Sequence, residues 1–123
     1  MNAKEIPLLP KLYDAIVWYS RKLAKYPKTF KYNIGERIMN SFLATLEFVI
    51  ETQYASEKKS AYLRKANIEL EKLRFLIRLS KDLQCISLDE YEHVSGLLVE
   101  MGKMIGGWEK YSRQSEKRIV NSE

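Results

Sequence analysis

The sequence predicts an all-α protein, an up-down antiparallel four-helix bundle, and three observations carry that prediction. Apolar residues recur every three or four positions through four separate stretches, the spacing that lines one face of a helix. Only three prolines and five glycines interrupt 123 residues, too few breakers for an array of short strands. Apolar residues supply 46% of the chain and charged residues 30%, a balance that fills one bundle interior and argues against a disordered polymer. The length is that of one ordinary domain, expected to span residues 1–123.

Leu9, Leu12, Ile16, Tyr19, Leu23 and Tyr26 form the first ladder. The first helix is predicted from about Pro10, whose missing backbone donor costs little in a first turn, to Lys25, because Tyr26-Pro27 turns the chain out of helix. Asn33, with Glu36 three residues later, opens the second helix, predicted from about Asn33 to Tyr54. Its ladder of Met39, Phe42, Leu46 and Val49 is flanked by Ile38, Leu43 and Ile50. A stripe this wide implies more than one neighbouring helix.

The third helix, from about Glu57 to Leu83, carries Leu63, Ala66, Leu70, Leu73 and Ile77, with a second row at Leu76, Leu79 and Leu83. Ser87-Leu-Asp-Glu90 has the form of a capping box, so the fourth helix begins at about Ser87 and runs along Tyr91, Val94, Leu98, Met101, Ile105 and Trp108. Short connectors between helices of this length favour antiparallel neighbours. From about residue 112 the apolar pattern thins, and the tail is expected to fray.

No stretch approaches the roughly 18 uncharged apolar residues of a membrane span, and the start of the chain lacks the basic head and apolar run of an export signal. A soluble, cytoplasmic protein is the expectation. Cys85 is the only cysteine and His93 the only histidine, so neither a disulfide nor a zinc site within one chain is expected. A di-iron bundle needs Glu-x-x-His on two helices, and only Glu90-Tyr-Glu-His93 has that form. With no glycine-rich phosphate loop and no G-x-S-x-G turn, the sequence offers no catalytic residues, no metal ligands and no cofactor site.

The net charge of +5 points to an anionic partner, and the charge is clustered. Between Asp14 and Glu36 there is no acidic residue, while Arg21, Lys22, Lys25, Lys28 and Lys31 all fall in that gap. Tyr26, Phe30 and Tyr32 are interleaved with these lysines, as aromatic faces for unpaired bases or as ordinary core and boundary residues. In the third helix Arg74 and Arg78, four apart, share a face that extends to Lys81. The two arginines either grip phosphates or pair with Glu71 and Asp82. Gly102 and Gly106, with Gly96 and Gly107 near them, cost helix stability and imply close approach of another backbone, within the bundle or across a subunit contact.

Tyr13-Asp14, the connector Tyr26-Pro27-Lys28 leading through Tyr32 to Gly35-Glu36-Arg37-Ile38, the run Leu73 to Leu79, and Glu100-Met-Gly-Lys-Met-Ile-Gly-Gly-Trp108 together resemble the accessory variability determinant proteins of diversity-generating retroelements. The wider family is also similar to four-helix proteins encoded by ribosomal RNA intervening sequences. The resemblance spans most of the chain. It implies a positively charged pentamer that binds the element's reverse transcriptase and nucleic acid, RNA or DNA, and supports mutagenic copying of a template RNA, with the polymerase chemistry belonging to the partner. Matched residue by residue, it makes Arg74 and Arg78 the first contacts with nucleic acid or polymerase, and Gly102, Gly106 and Trp108 packing or assembly residues. Lys22, Lys25, Lys28, Lys31 and Lys81 join the contact set on charge alone. The rival expectation is a helical interaction module whose basic surface grips an acidic protein, with no nucleic-acid role.

Overall fold

Four long helices and one single-turn helix account for nearly all of residues 7–122, which the computed structural model describes. They are α1 (Leu8–Leu23), α2 (Lys28–Lys31), α3 (Ile34–Tyr54), α4 (Lys59–Asp82) and α5 (Leu88–Ser122). Among the described residues there is no strand. α3 packs on α1 and α4, and α5 packs on α4 and α1, so α1 and α4 occupy opposite corners of a square. Lys11 near the start of α1 pairs with Glu100, whereas Lys22 near its end pairs with Glu90 at 3.2 Å. Those two bridges fix α1 antiparallel to α5, as the up-down topology requires.

Most residues of the predicted ladders point inward, but Leu43 and Ile50, flanking the second ladder, and Leu79 and Leu83, in the second row of the third, are exposed, because they lie outside the stripe that the neighbouring helices cover. Leu12, Tyr19, Phe42, Val49, Leu63, Leu73, Ile77, Leu98, Met101 and Ile105 are fully or almost fully buried, each aliphatic side chain contributing about 1.5–3 kcal/mol by leaving water. Tyr19 packs on Phe42 with ring centroids 5.6 Å apart and shares a buried hydroxyl hydrogen bond of 2.5 Å with Tyr26. Burial pushes both phenols to titrate above their ordinary range. Trp108 closes the core towards the far end, where it is 8% exposed.

Local signals act as the sequence predicts at two helix starts. The Ser87 N–H donates to Glu90 at 2.8 Å and the Glu90 N–H donates to the Ser87 hydroxyl at 3.1 Å, completing the capping box of α5. Asn33 Oδ1 accepts from the N–H of Ile34 at the start of α3. The connector differs from expectation in holding α2, whose turn after Pro27 brings the Phe30 carbonyl towards α3. Gly35 sits close under this turn: a Cβ there would lie 3.3 Å from the Leu23 side chain, a tight contact, and 3.5 Å from the Phe30 oxygen, an ordinary one.

The tail also differs. Instead of fraying from about residue 112, α5 continues to Ser122, with Ser112 buried and Glu116 bonded to Ser60 on α4. The sequence hides this bond because its partners are 56 residues apart.

Candidate nucleic-acid interface

The inward stripe of α4 leaves Ile68, Phe75 and Leu79 on the opposite face, and Phe75, at 64% exposure, is the most open of the three. Arg74 and Arg78 flank it, and all three line a cleft of about 150 Å³ with Glu71 and Tyr91. Helical spacing explains the grouping, since positions three and four apart meet on one face. Arg74 forms an ion pair with Glu71 at 3.3 Å, one of the two pairings that the sequence offers. The second does not form: Asp82 pairs with Lys81 at 3.3 Å, and among the described residues Arg78 has no ion-pair partner. Lys81 also lies 4.6 Å over the Tyr91 ring. Arg78 is therefore the available cation of this cleft, with Arg74 partly neutralised beside it.

On its other side Phe75 borders a wider groove of about 630 Å³ between α3 and α4, lined also by Arg37, Asn40 and Lys72. Lys72 is bound to Glu69 at 2.9 Å, and the Ser41 hydroxyl donates to the same carboxylate at 2.7 Å. Burial acts to raise the Glu69 pKa, but these two partners outweigh it and hold the carboxyl below its ordinary value. Arg37, like Arg78, has no ion-pair partner among the described residues. A third groove, about 560 Å³, runs between α4 and α5 past Arg64, Arg74 and Lys103. α4 is thus bordered on both flanks by concave surface carrying cations.

The connector lies at the end of the bundle where α4 finishes, because α1 ends and α3 begins there. Its lysines are not equivalent. Lys25 and Lys28 are exposed, and Lys31 is half-buried with its ammonium 5.7 Å from the Tyr32 ring. Lys22 is engaged in the fold: it bridges to Glu90 and lies 4.9 Å over the Trp18 ring. Tyr26 is 4% exposed and has no face free for a base, which leaves exposed Tyr32 as the open aromatic of the connector.

The helix glycines also separate. A Cβ on Gly102 or Gly106 would meet only the Asn67 side chain, at 3.7 and 3.9 Å, and one on Gly96 or Gly107 would meet nothing within 4 Å. Among the described residues these four positions make no close approach to the backbone of another helix. Trp108 belongs to the core cluster. Cys85 is half-buried, and burial raises its thiol pKa, away from the reactive thiolate. His93 packs on Trp18 with ring centroids 4.7 Å apart.

Sequence reasoning passed over Phe75, Tyr91 and Arg37 as parts of one surface. The signal for Phe75 was present, since the ladder Leu63, Ala66, Leu70, Leu73, Ile77 excludes it from the core stripe and puts it between the two arginines. Tyr91 and Arg37 come from other helices, and only the packing brings them to α4.

Among the described residues no helix is long and apolar enough to cross a membrane. Comparison with curated proteins and with solved structures gives no match. The family model described as bAvd-like matches residues 8–112, from the first turn of α1 well into the second half of α5. On that match over most of its length, the chain belongs to the bAvd-like family.

Proposed function

We propose that this protein is a non-catalytic, basic accessory subunit that binds nucleic acid and a reverse transcriptase, supporting mutagenic copying of template RNA in a diversity-generating retroelement. Membership of the bAvd-like family supports the accessory role. The observation that carries the nucleic-acid part is the α4 surface, where Arg78, without an ion-pair partner among the described residues, and Arg74, paired with Glu71, border an exposed aromatic ring. Lys81, Lys25, Lys28 and Lys31 extend the positive surface towards the connector end. Lys22 contributes charge there, but its first task is to hold α1 on α5.

The protein acts in the cytoplasm as a homo-oligomer, a pentamer in this reading, and needs no cofactor. Gly102 and Gly106 are assigned to assembly in preference to interior packing, because a Cβ on either would touch only the Asn67 side chain and no backbone among the described residues. The rival reading is an interaction module for an acidic protein, favoured by Ile68, Phe75 and Leu79, which make the exposed side of α4 partly apolar.

Titration of labelled RNA and DNA with the wild type and an Arg74→Glu/Arg78→Glu variant, both shown folded by circular dichroism, tests the choice. Binding by the wild type that the variant loses is the expected result. A folded wild type that binds neither polymer at low salt overturns the nucleic-acid part, and co-purification of an acidic protein would then favour the rival. Co-purification with a reverse transcriptase encoded beside the gene tests the polymerase part separately.

A further inference from the structure

We infer that Phe75 is a stacking platform for an unpaired base, so that this face of α4 selects single-stranded over double-stranded nucleic acid. The inference rests on the nucleic-acid reading above and adds the form of the ligand. Phe75 borders two concave surfaces at once, the cleft with Arg78 and Tyr91 on one side and the α3–α4 groove with Arg37 on the other. It is therefore a ridge between two depressions. Each depression holds one arginine without an ion-pair partner among the described residues, Arg78 on one side and Arg37 on the other. A strand crossing α4 would lay a base on the Phe75 ring and place its flanking phosphates in the two depressions, each against a free guanidinium.

The chemistry of the occupant follows from that alternation of cation, aromatic face and cation. An acidic peptide would satisfy the arginines, but it offers the ring a flat face only where an aromatic side chain happens to stand between its carboxylates. A duplex would satisfy the arginines through its phosphates, yet its bases are already paired and stacked and leave Phe75 wet. An unpaired strand satisfies all three groups at every step, since phosphate, base and phosphate alternate along it, and base–aromatic stacking tolerates any sequence because every base has a π-face. Lys72 and Arg74 border the same path with their charge shared with Glu69 and Glu71, which leaves Arg37 and Arg78 as the two fixed phosphate contacts.

The test compares Phe75→Leu, which keeps an apolar side chain but removes the π-face, with Phe75→Trp, which keeps it. Affinities for a labelled single-stranded oligonucleotide and for a duplex of the same length are measured at one salt concentration, with particle mass by light scattering. The wild type and Phe75→Trp should prefer the single strand. Phe75→Leu should weaken single-strand binding about tenfold while duplex affinity and mass stay unchanged. Arg78→Ala, by contrast, should weaken both.

Equal wild-type affinity for strand and duplex, or equal losses for both in Phe75→Leu, would overturn the stacking role and leave the electrostatic reading in place. A Phe75→Leu variant of reduced mass would overturn it in favour of a subunit contact. A wild type that binds neither probe would overturn the nucleic-acid reading, and this inference with it.

Discussion

Glu116, in the last third of α5, accepts two hydrogen bonds from Ser60 in the first turn of α4: one from the backbone N–H at 3.1 Å and one from the hydroxyl at 2.5 Å. α4 needs this help. Its own cap position is Lys58, in the left-handed region at φ 63° and with no capping side-chain bond. The carboxylate supplies the missing acceptor and lies near the positive end of the helix dipole. Glu116→Ala should cost about 1 kcal/mol, the usual worth of a helix cap, read as a lower denaturation midpoint with an unchanged slope. Ser60→Ala should cost a similar amount, and the double variant less than the sum. Additive losses would mean that the bond from the Ser60 hydroxyl contributes nothing.

The same carboxylate gives the fold an acid limit. The Ser60 hydroxyl is the main cause holding the Glu116 pKa below its ordinary value, and the Ser87 N–H, aided by Lys22, does the same for Glu90. A group whose folded pKa is depressed takes up protons more readily in the unfolded chain. Its stabilisation is therefore complete above the ordinary glutamate range and is lost as pH falls through the folded value. Unfolding midpoints should drop between pH 6 and about pH 3, and Glu116→Gln should drop less than the wild type over that interval. An equal drop would remove Glu116 from the account.

Lys22 and Lys28 should separate stability from binding. Lys22 bridges to Glu90 and covers Trp18, so Lys22→Ala should cost about 1 kcal/mol and change nucleic-acid affinity little. Lys28 is exposed on the single turn after Pro27. Its alanine variant should keep the wild-type midpoint and lose affinity in a salt-dependent way. The reverse pattern would put the contact surface on the α1–α5 side.

Glycine substitution should likewise follow the space around each residue. Gly107→Ala adds a methyl group in open space on the long helix and should stabilise by about 0.5–1 kcal/mol through helix propensity alone. Gly35→Ala must push slightly against the Leu23 side chain, so its midpoint should fall below that of Gly107→Ala. A Gly107→Ala variant with an unchanged fold but lower mass in light scattering would place Gly107 at a subunit contact.

The helices were legible because burial imposes a period that composition cannot hide. Leu63, Ala66, Leu70, Leu73 and Ile77 repeat at helical spacing and all are buried. The start of α5 was legible for a different reason, since both halves of its capping box lie within four residues. What escaped was either too short to show a period, as in α2, or made by residues distant in sequence. Glu116 reads as one more polar residue in a polar tail until α4 is placed beside it. The candidate surface was half legible. Arg74 and Arg78 stand out by type and spacing, but whether each is already neutralised depends on rotamers: Asp82, four residues from Arg78, turns to Lys81 instead. Tyr26 stood both in the first apolar ladder and among the connector lysines, and its burial with a hydroxyl bond to Tyr19 decides for the core.

The central claim is that the α4 surface binds nucleic acid through Arg78 and Arg74, and a salt series on one single-stranded oligonucleotide tests it most directly. For the wild type, the logarithm of the affinity should fall linearly with the logarithm of the salt concentration, since each phosphate neutralised releases counterions. Arg74→Ala/Arg78→Ala, at wild-type mass and helicity, should bind more weakly and with a shallower slope. Arg78→Ala alone should account for most of the change, because Glu71 already offsets Arg74. Identical slopes and affinities for wild type and double variant would contradict the account.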